Sequence, residues 1–215
     1  AAGVFAGAVF VYDSTNKRVL GVNNGTWVWN GTAWTSLVAS NGASFLTPGS
    51  AAYDSGRGRV VAIGAASYFG GPSETWEFDG AVWTKKATSA TTPNLIGHAA
   101  AYDPVRQRTV LFGGYPPVFL ASAVPTNQTW EWDGTTWVKA SPVTSPSPRF
   151  GASMVWDPSR NRLAMLGGAE ENDLWSYDGT TWTQVPIAGA SPAVYSGFGS
   201  TLTLGMRSKS SNSLR

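Results

Sequence analysis

The sequence predicts an all-β fold: a β-propeller of four four-stranded antiparallel blades with the start of a fifth. Three observations predict it. First, a nine-residue aromatic phrase occurs four times, as TWVWNGTAW at 26–34, TWEFDGAVW at 75–83, TWEWDGTTW at 129–137 and LWSYDGTTW at 174–182. Together these hold most of the chain's eleven tryptophans. Second, another phrase precedes each copy: VYDSTNKRV at 11–19, AYDSGRGRV at 52–60, AYDPVRQRT at 101–109 and VWDPSRNRL at 155–163. Third, 25 glycines and 13 prolines are spread among valines and aromatics, and only 13% of residues are charged, a composition of short strands and many turns.

Each repeat reads as four strands, A to D. The short apolar runs AVFVYD, HAAAYD and ASMVWD have strand length and composition, as do RVLGV, RTVLFGG and RLAMLGG after them. Asp-Pro-x-Arg, or its Gly/Asn equivalent, makes the A–B turn. Asp13, Asp54, Asp103 and Asp157 precede Arg18, Arg59, Arg108 and Arg162 by five positions each, and are expected to form hairpin salt bridges and side-chain-to-backbone bonds. Strand C is TWEWD and its variants. Asp-Gly or Asn-Gly, favouring positive φ, turns the chain into strand D.

The period between those aspartates is 41, 49 and 54 residues. A four-stranded unit of this size cannot bury both faces alone, so it stacks on copies of itself, and radial stacking makes a propeller. Small residues in SAAYD and AAAYD suit a crowded axis, which places strand A innermost. The tryptophans, with Trp34, Trp83, Trp137 and Trp182 on strand D, fill the space between blades. The blades are expected at about 8–37, 50–86, 98–140 and 151–185, within a propeller region of 1–205. An extra inner strand is expected at about 197–204, and a basic Ser-rich tail at 206–215. This describes a partial or truncated propeller, or one completed by another copy of the chain.

A B strand ending in Gly113 and Gly114, or in Gly167 and Gly168, an aromatic on strand C and a Trp on strand D resemble kelch repeats. The style YDPVRQRTVLFGG…TWEWDGTTW is similar to kelch propellers of secreted bacterial proteins. The resemblance covers about residues 8–186. The first repeat departs from it with Asn23 and Asn24 in place of the glycine pair, and the second with Gly64 and Ala65.

Composition bounds the function. No run approaches the roughly 18 apolar residues of a membrane-spanning helix. The opening AAGVFAGAVF lacks a basic n-region and reads as a mature N-terminus entering a strand. With no cysteine there is no disulfide, thiolate ligand or cysteine nucleophile. A pI near 9.0 owes much to Arg207, Lys209 and Arg215 in the tail. Without those three the net charge goes from +2 to −1, so a nucleic-acid-binding face is not expected.

Chemistry is sparse. The single histidine, His98, precedes an inner strand and reads as a packing and hydrogen-bonding residue. Kelch copper oxidases require several His and Tyr ligands and a cysteine-modified tyrosine, a set this chain cannot assemble. Of thirteen acids, all but Glu74, Glu170, Glu171 and Asp173 occupy repeat positions, which argues against a glycosidase pair. Arg149 is the one arginine outside the turns and the tail, so a sialidase arginine trio is missing. A Ser-His-Asp triad has only His98 for its base. The sequons at Asn24, Asn30 and Asn127 matter only in a eukaryotic secreted protein.

These readings leave a non-catalytic binding or scaffold module without cofactor or metal, extracellular or at the cell surface, with protein or glycan partners. The alternatives are a lectin propeller, and an enzyme domain whose catalytic residues lie outside this chain. In an up-and-down blade the A–B and C–D turns share one face and are nearly uniform. The B–C and D–A connections share the other and diverge, as binding surfaces do. Candidate ligand-binding residues on that face are Tyr68, Phe69, Tyr115, Phe119, Arg149, Glu170 and Glu171, with Phe45 nearby. Their aromatics either meet a partner or fold back over the blade tops.

Overall fold

The computed structural model describes residues 8–22, 25–37, 49–65, 72–86, 92–117 and 124–187. Among the described residues there are sixteen strands, and no helix is long and apolar enough to cross a membrane. The first blade contains β1 (Val9–Asp13), β2 (Arg18–Val22), β3 (Thr26–Trp29) and β4 (Trp34–Leu37). The second contains β5 (Ser50–Asp54), β6 (Arg59–Ala65), β7 (Ser73–Phe78) and β8 (Trp83–Lys86). The third contains β9 (Ala99–Asp103), β10 (Arg108–Phe112), β11 (Thr129–Trp132) and β12 (Trp137–Ala140). The fourth contains β13 (Ser153–Asp157), β14 (Arg162–Leu166), β15 (Leu174–Tyr177) and β16 (Trp182–Val185). Each blade is its own antiparallel sheet with strands in chain order. The described residues therefore form the four four-stranded blades that the sequence predicts, while the expected fifth inner strand and the tail lie outside the described residues.

The A–B turns are alike in all four blades. Aspartate and the arginine five residues on are paired across the ladder, as Asp54↔Arg59 and Asp103↔Arg108 show. The fourth turn residue adopts the left-handed conformation in each: Lys17, Gly58, Gln107 and Asn161. The aspartate carboxylate accepts a backbone N–H from within its turn, at 3.1 Å from Asn16, 3.0 Å from Arg57, 3.0 Å from Arg106 and 2.9 Å from Ser159.

The expected salt-bridge partner holds only in the first blade, where Arg18 Nε donates to Asp13 at 3.0 Å. In the other blades the aspartate takes the arginine three residues on. Arg57 reaches Asp54 at 2.6 Å, Arg106 reaches Asp103 at 2.8 Å and Arg160 reaches Asp157 at 2.7 Å. An arginine at that turn position is closer to the carboxylate than one that has already entered the next strand. The first blade has Asn16 there, which leaves Arg18 to fill the role. Arg59 and Arg162 instead lean toward the C–D turn of their own blade, 3.9 Å from Asp79 and 3.7 Å from Asp178.

The C–D turns close around one side-chain oxygen each. Asp133 Oδ1 accepts from the backbone N–H groups of Thr135 (2.7 Å) and Thr136 (2.8 Å), and Asn30, Asp79 and Asp178 do the same in their blades. The glycine that follows carries φ near +100° in every copy, which a side chain would strain.

Between blades lie three apolar clusters. Val11, Leu20, Val22 and Val28 meet Val60, Ala62, Phe78 and Trp83 at the first seam. Val61, Ile63 and Leu95 meet Leu111, Trp132 and Trp137 at the second. Ala101, Val110 and Phe112 meet Met154, Leu163, Met165, Tyr177 and Trp182 at the third. Alternation along each B strand sends one set of side chains forward and the other back. Trp83, Trp137 and Trp182 are buried within these seams as the sequence predicts, whereas Trp34, on the outer side of the first blade, is half-buried.

The glycine pair at the end of a B strand has a steric cause. A Cβ on Gly113 would collide with the carbonyl oxygen of Arg149, and one on Gly114 would lie 2.6 Å from that of Ile96. The connections entering two successive blades cross there, and Gly114 N–H donates to Arg149 O at 2.8 Å. In the second blade, which lacks the pair, Gly49 gives the clearance instead: a Cβ there would collide with Ile63 O.

Candidate functional site

The A–B and C–D turns do share one face, as the reach of Arg59 toward Asp79 and of Arg162 toward Asp178 shows. The other face carries the B–C and D–A connections, which bond to each other. Ile96 and Tyr115 form a reciprocal backbone pair at 2.9 and 3.0 Å, and Ser73 N–H donates to Asn94 Oδ1 at 3.0 Å.

On this loop face the structure separates the candidate residues. Glu170 and Glu171 are exposed at the tip of the B–C connection in the fourth blade, where Ala169 and Glu170 both hold positive φ. Tyr115 is buried, its ring set edge-on against Phe150 with centroids 5.4 Å apart. Burial raises its phenol pKa above the ordinary value. Of the two fates open to the loop aromatics, Tyr115 takes the inward one. Tyr68, Phe69, Phe119 and Phe45 lie outside the described residues.

Arg149, expected as a surface charge, is instead 1% exposed. Its guanidinium binds Asp173 with both terminal nitrogens and donates to Gly167 O at 3.0 Å, Ser147 O at 3.1 Å and Ser147 Oγ at 2.8 Å. It thus ties the connection entering the fourth blade to the B–C connection within that blade. Burial alone would raise the Asp173 pKa, but hydrogen bonds from Arg149 and Trp175 prevail and hold it below the usual carboxylate value. A planar five-donor fork suits such a clamp. The same pairing makes Asp173 a partner of the clamp rather than a loose acid.

The inner strands β1, β5, β9 and β13 lie side by side around a cavity of about 540 Å³. Each is hydrogen-bonded to its own blade along one edge only. Among the described residues the lining includes Ala8, Gly49, Ala51, His98, Ala100 and Ala152 and contains no Asp, Glu, Lys or Arg. His98 is buried, with Nδ1 2.6 Å from Ser50 Oγ. Burial pushes its pKa down to about 4, so the imidazole is neutral at pH 7. It can accept or donate one hydrogen bond to Ser50, the packing role that the sequence suggests. Among the described residues no three His, Asp or Glu side chains come together as a metal site requires.

A further repeated constellation sits at the rim, and sequence reasoning misses it. Trp76 Nε1 donates to Glu74 at 2.9 Å, Trp130 Nε1 to Gln128 at 2.9 Å and Trp175 Nε1 to Asp173 at 2.6 Å. Each indole is half-buried and packs at the edge of its seam. The strand D residues directly opposite are Lys85, Lys139 and Gln184, all exposed. The signal in the sequence is an acceptor two residues before each tryptophan.

No family model matches the chain, and no curated protein matches it. Solved structures do, with 128 matching chains. The likeness is one of fold. The structure of YjhT aligns with a TM-score of 0.62 and 15% sequence identity, covering 89% of this chain and 68% of that one. At this identity the fold is shared and nothing about ligands follows.

Proposed function

We propose that this protein is a non-catalytic binding module of the kelch type, working outside the cell or at its surface, with protein or glycan partners on the face of the B–C and D–A connections. One observation carries the reading: the groups suited to catalysis are spent inside the propeller. His98 is buried and neutral, Arg149 is locked to Asp173, and Glu77 and Glu131 are engaged by Arg57 and Arg106 at 2.7 and 2.6 Å. What differs between blades is the loop face, while the turn face repeats. The rim tryptophans beside hydrogen-bonding side chains favour the glycan form of this reading over the protein form.

The test is binding to an array of neutral and charged glycans and to an array of secreted proteins. Wild type is compared with the Glu170→Ala/Glu171→Ala pair and with Arg108→Ala on the turn face. Saturable binding that the pair weakens and Arg108→Ala leaves intact is the expected result. Weakening by Arg108→Ala alone, in a folded protein, refutes the choice of face. Hydrolase or oxidase turnover abolished by loop-face substitutions refutes the non-catalytic reading.

A further inference from the structure

Three copies of one arrangement sit at the outer ends of the blades. A tryptophan on strand C lies on the same side of its sheet as the residue two before it, because side chains alternate along a strand. That residue holds the indole N–H: Glu74 for Trp76, Gln128 for Trp130 and Asp173 for Trp175. The residue opposite on strand D also projects on this side, with Cβ atoms about 5 Å apart as in any antiparallel pair. In β12 it is Lys139, opposite Trp130, and in β16 it is Gln184, opposite Trp175. Both stand on the outermost, one-edged strand and are exposed.

The result is a fixed aromatic plate flanked by an acceptor and a donor. A buried indole needs a partner for its N–H only to satisfy that group. Here the indoles remain half open, so the tether also fixes the ring's orientation at an accessible surface. A pyranose ring has complementary chemistry: an apolar C–H face to lie on an indole, and a rim of neutral hydroxyls to accept from Lys139 or Gln184 and donate to Gln128. In the second blade the corresponding Glu74 and Lys85 are ion-paired to each other, so the copy there is already self-satisfied.

We propose that the seam between the second and third blades and the seam between the third and fourth each hold a neutral saccharide, stacked on Trp130 or Trp175. Gln128 and Lys139 bond its hydroxyls at one seam, and Gln184 does so at the other, where Asp173 is held by Arg149 and only orients the indole. This rests on the glycan form of the binding-module reading. Two such sites on one chain make the module bivalent, so a polysaccharide is retained more tightly than a single sugar unit.

The experiment is native electrophoresis of the full chain through gels containing soluble galactomannan, mixed-linkage β-glucan or arabinogalactan. Wild type should be retarded in at least one gel. The Lys139→Ala/Gln184→Ala pair lies on exposed positions and spares the seams; its apparent Kd should rise at least threefold. Trp130→Ala/Trp175→Ala should raise it at least tenfold, and Trp130→Tyr/Trp175→Tyr, which keeps an aromatic ring in each seam, should recover part of the loss. No retardation in any gel overturns the proposal, as does retardation that both pairs leave unchanged. Retardation removed by Glu170→Ala/Glu171→Ala but untouched at the rim overturns the rim sites and leaves the binding module standing.

Discussion

Trp137 of the third blade donates its indole N–H to Thr75 Oγ1 of the second blade at 2.9 Å. The same bond joins Trp83 to Thr26 at 2.7 Å and Trp182 to Thr129 at 3.0 Å. Each seam therefore repeats this polar bond in one register within an apolar contact, and two seams add a second, from Trp132 Nε1 to Glu77 at 3.0 Å and from Tyr177 Oη to Glu131 at 3.0 Å, which together limit how far one blade can slide along the next. Thr75→Val keeps the volume and strands the indole donor, so we expect a loss of about 1–3 kcal/mol in urea unfolding. Trp137→Ala empties the seam as well and should cost about 3–5 kcal/mol. A Thr75→Val cost indistinguishable from zero would mean that the bond is incidental to packing.

The Arg149–Asp173 clamp gives an asymmetric expectation. Asp173→Asn leaves a guanidinium buried without its counter-charge and should destabilise the protein by about 3 kcal/mol. Replacing both residues together, as Arg149→Met/Asp173→Leu, should cost less than the single change, because no charge is left buried. Equilibrium unfolding of the three proteins decides the order.

His98 makes stability depend on pH in a defined window. Its folded pKa is about 4, below the ordinary histidine value of 6.5. Below pH 6.5 the unfolded chain takes up a proton that the folded chain refuses. Stability is therefore complete above that value and declines as pH falls toward 4, by at most about 1.4 kcal/mol per pH unit from this group. His98→Gln should flatten the slope of Tm between pH 6.5 and 4.5. A slope identical to wild type would place the titration elsewhere.

Two glycines with similar φ should respond differently to alanine. Gly151 has φ +70°, and a Cβ added there would meet no atom within 4 Å, so Gly151→Ala costs only the left-handed backbone penalty, about 1–2 kcal/mol. Gly114 has φ +83° and would place Cβ 2.6 Å from Ile96 O, against backbone that cannot yield cheaply. Gly114→Ala should lower Tm more than Gly151→Ala, and also disturb the Ile96–Tyr115 pair, read by amide exchange at those two residues.

Most of the architecture is legible in the sequence because repetition makes it so. Four copies of an Asp-turn-Arg phrase and four of an aromatic phrase mark sixteen strands by local rules of turn chemistry and alternation. The site is less legible. Arg149 looks like a free loop charge because its partner, Asp173, is 24 residues away and belongs to another connection. The Asp–Arg spacing points to the wrong arginine in three blades, since distance along the chain does not say which of two nearby guanidinium groups the turn folds over the carboxylate.

The sequence by itself determined the strand order within each blade, the turns that join the strands and the apolar residues available to fill the seams, because each depends on residues within a few positions of one another. Tertiary structure alone decided which groups remain available to a ligand. Tyr115 turned inward onto Phe150, Arg149 sank beneath the loop face, His98 lost its charge beside Ser50, and Trp130 and Trp175 stayed half open at the rim. Burial and pairing across blades are properties of surfaces brought together from distant parts of the chain, and those surfaces exist only once the blades have stacked.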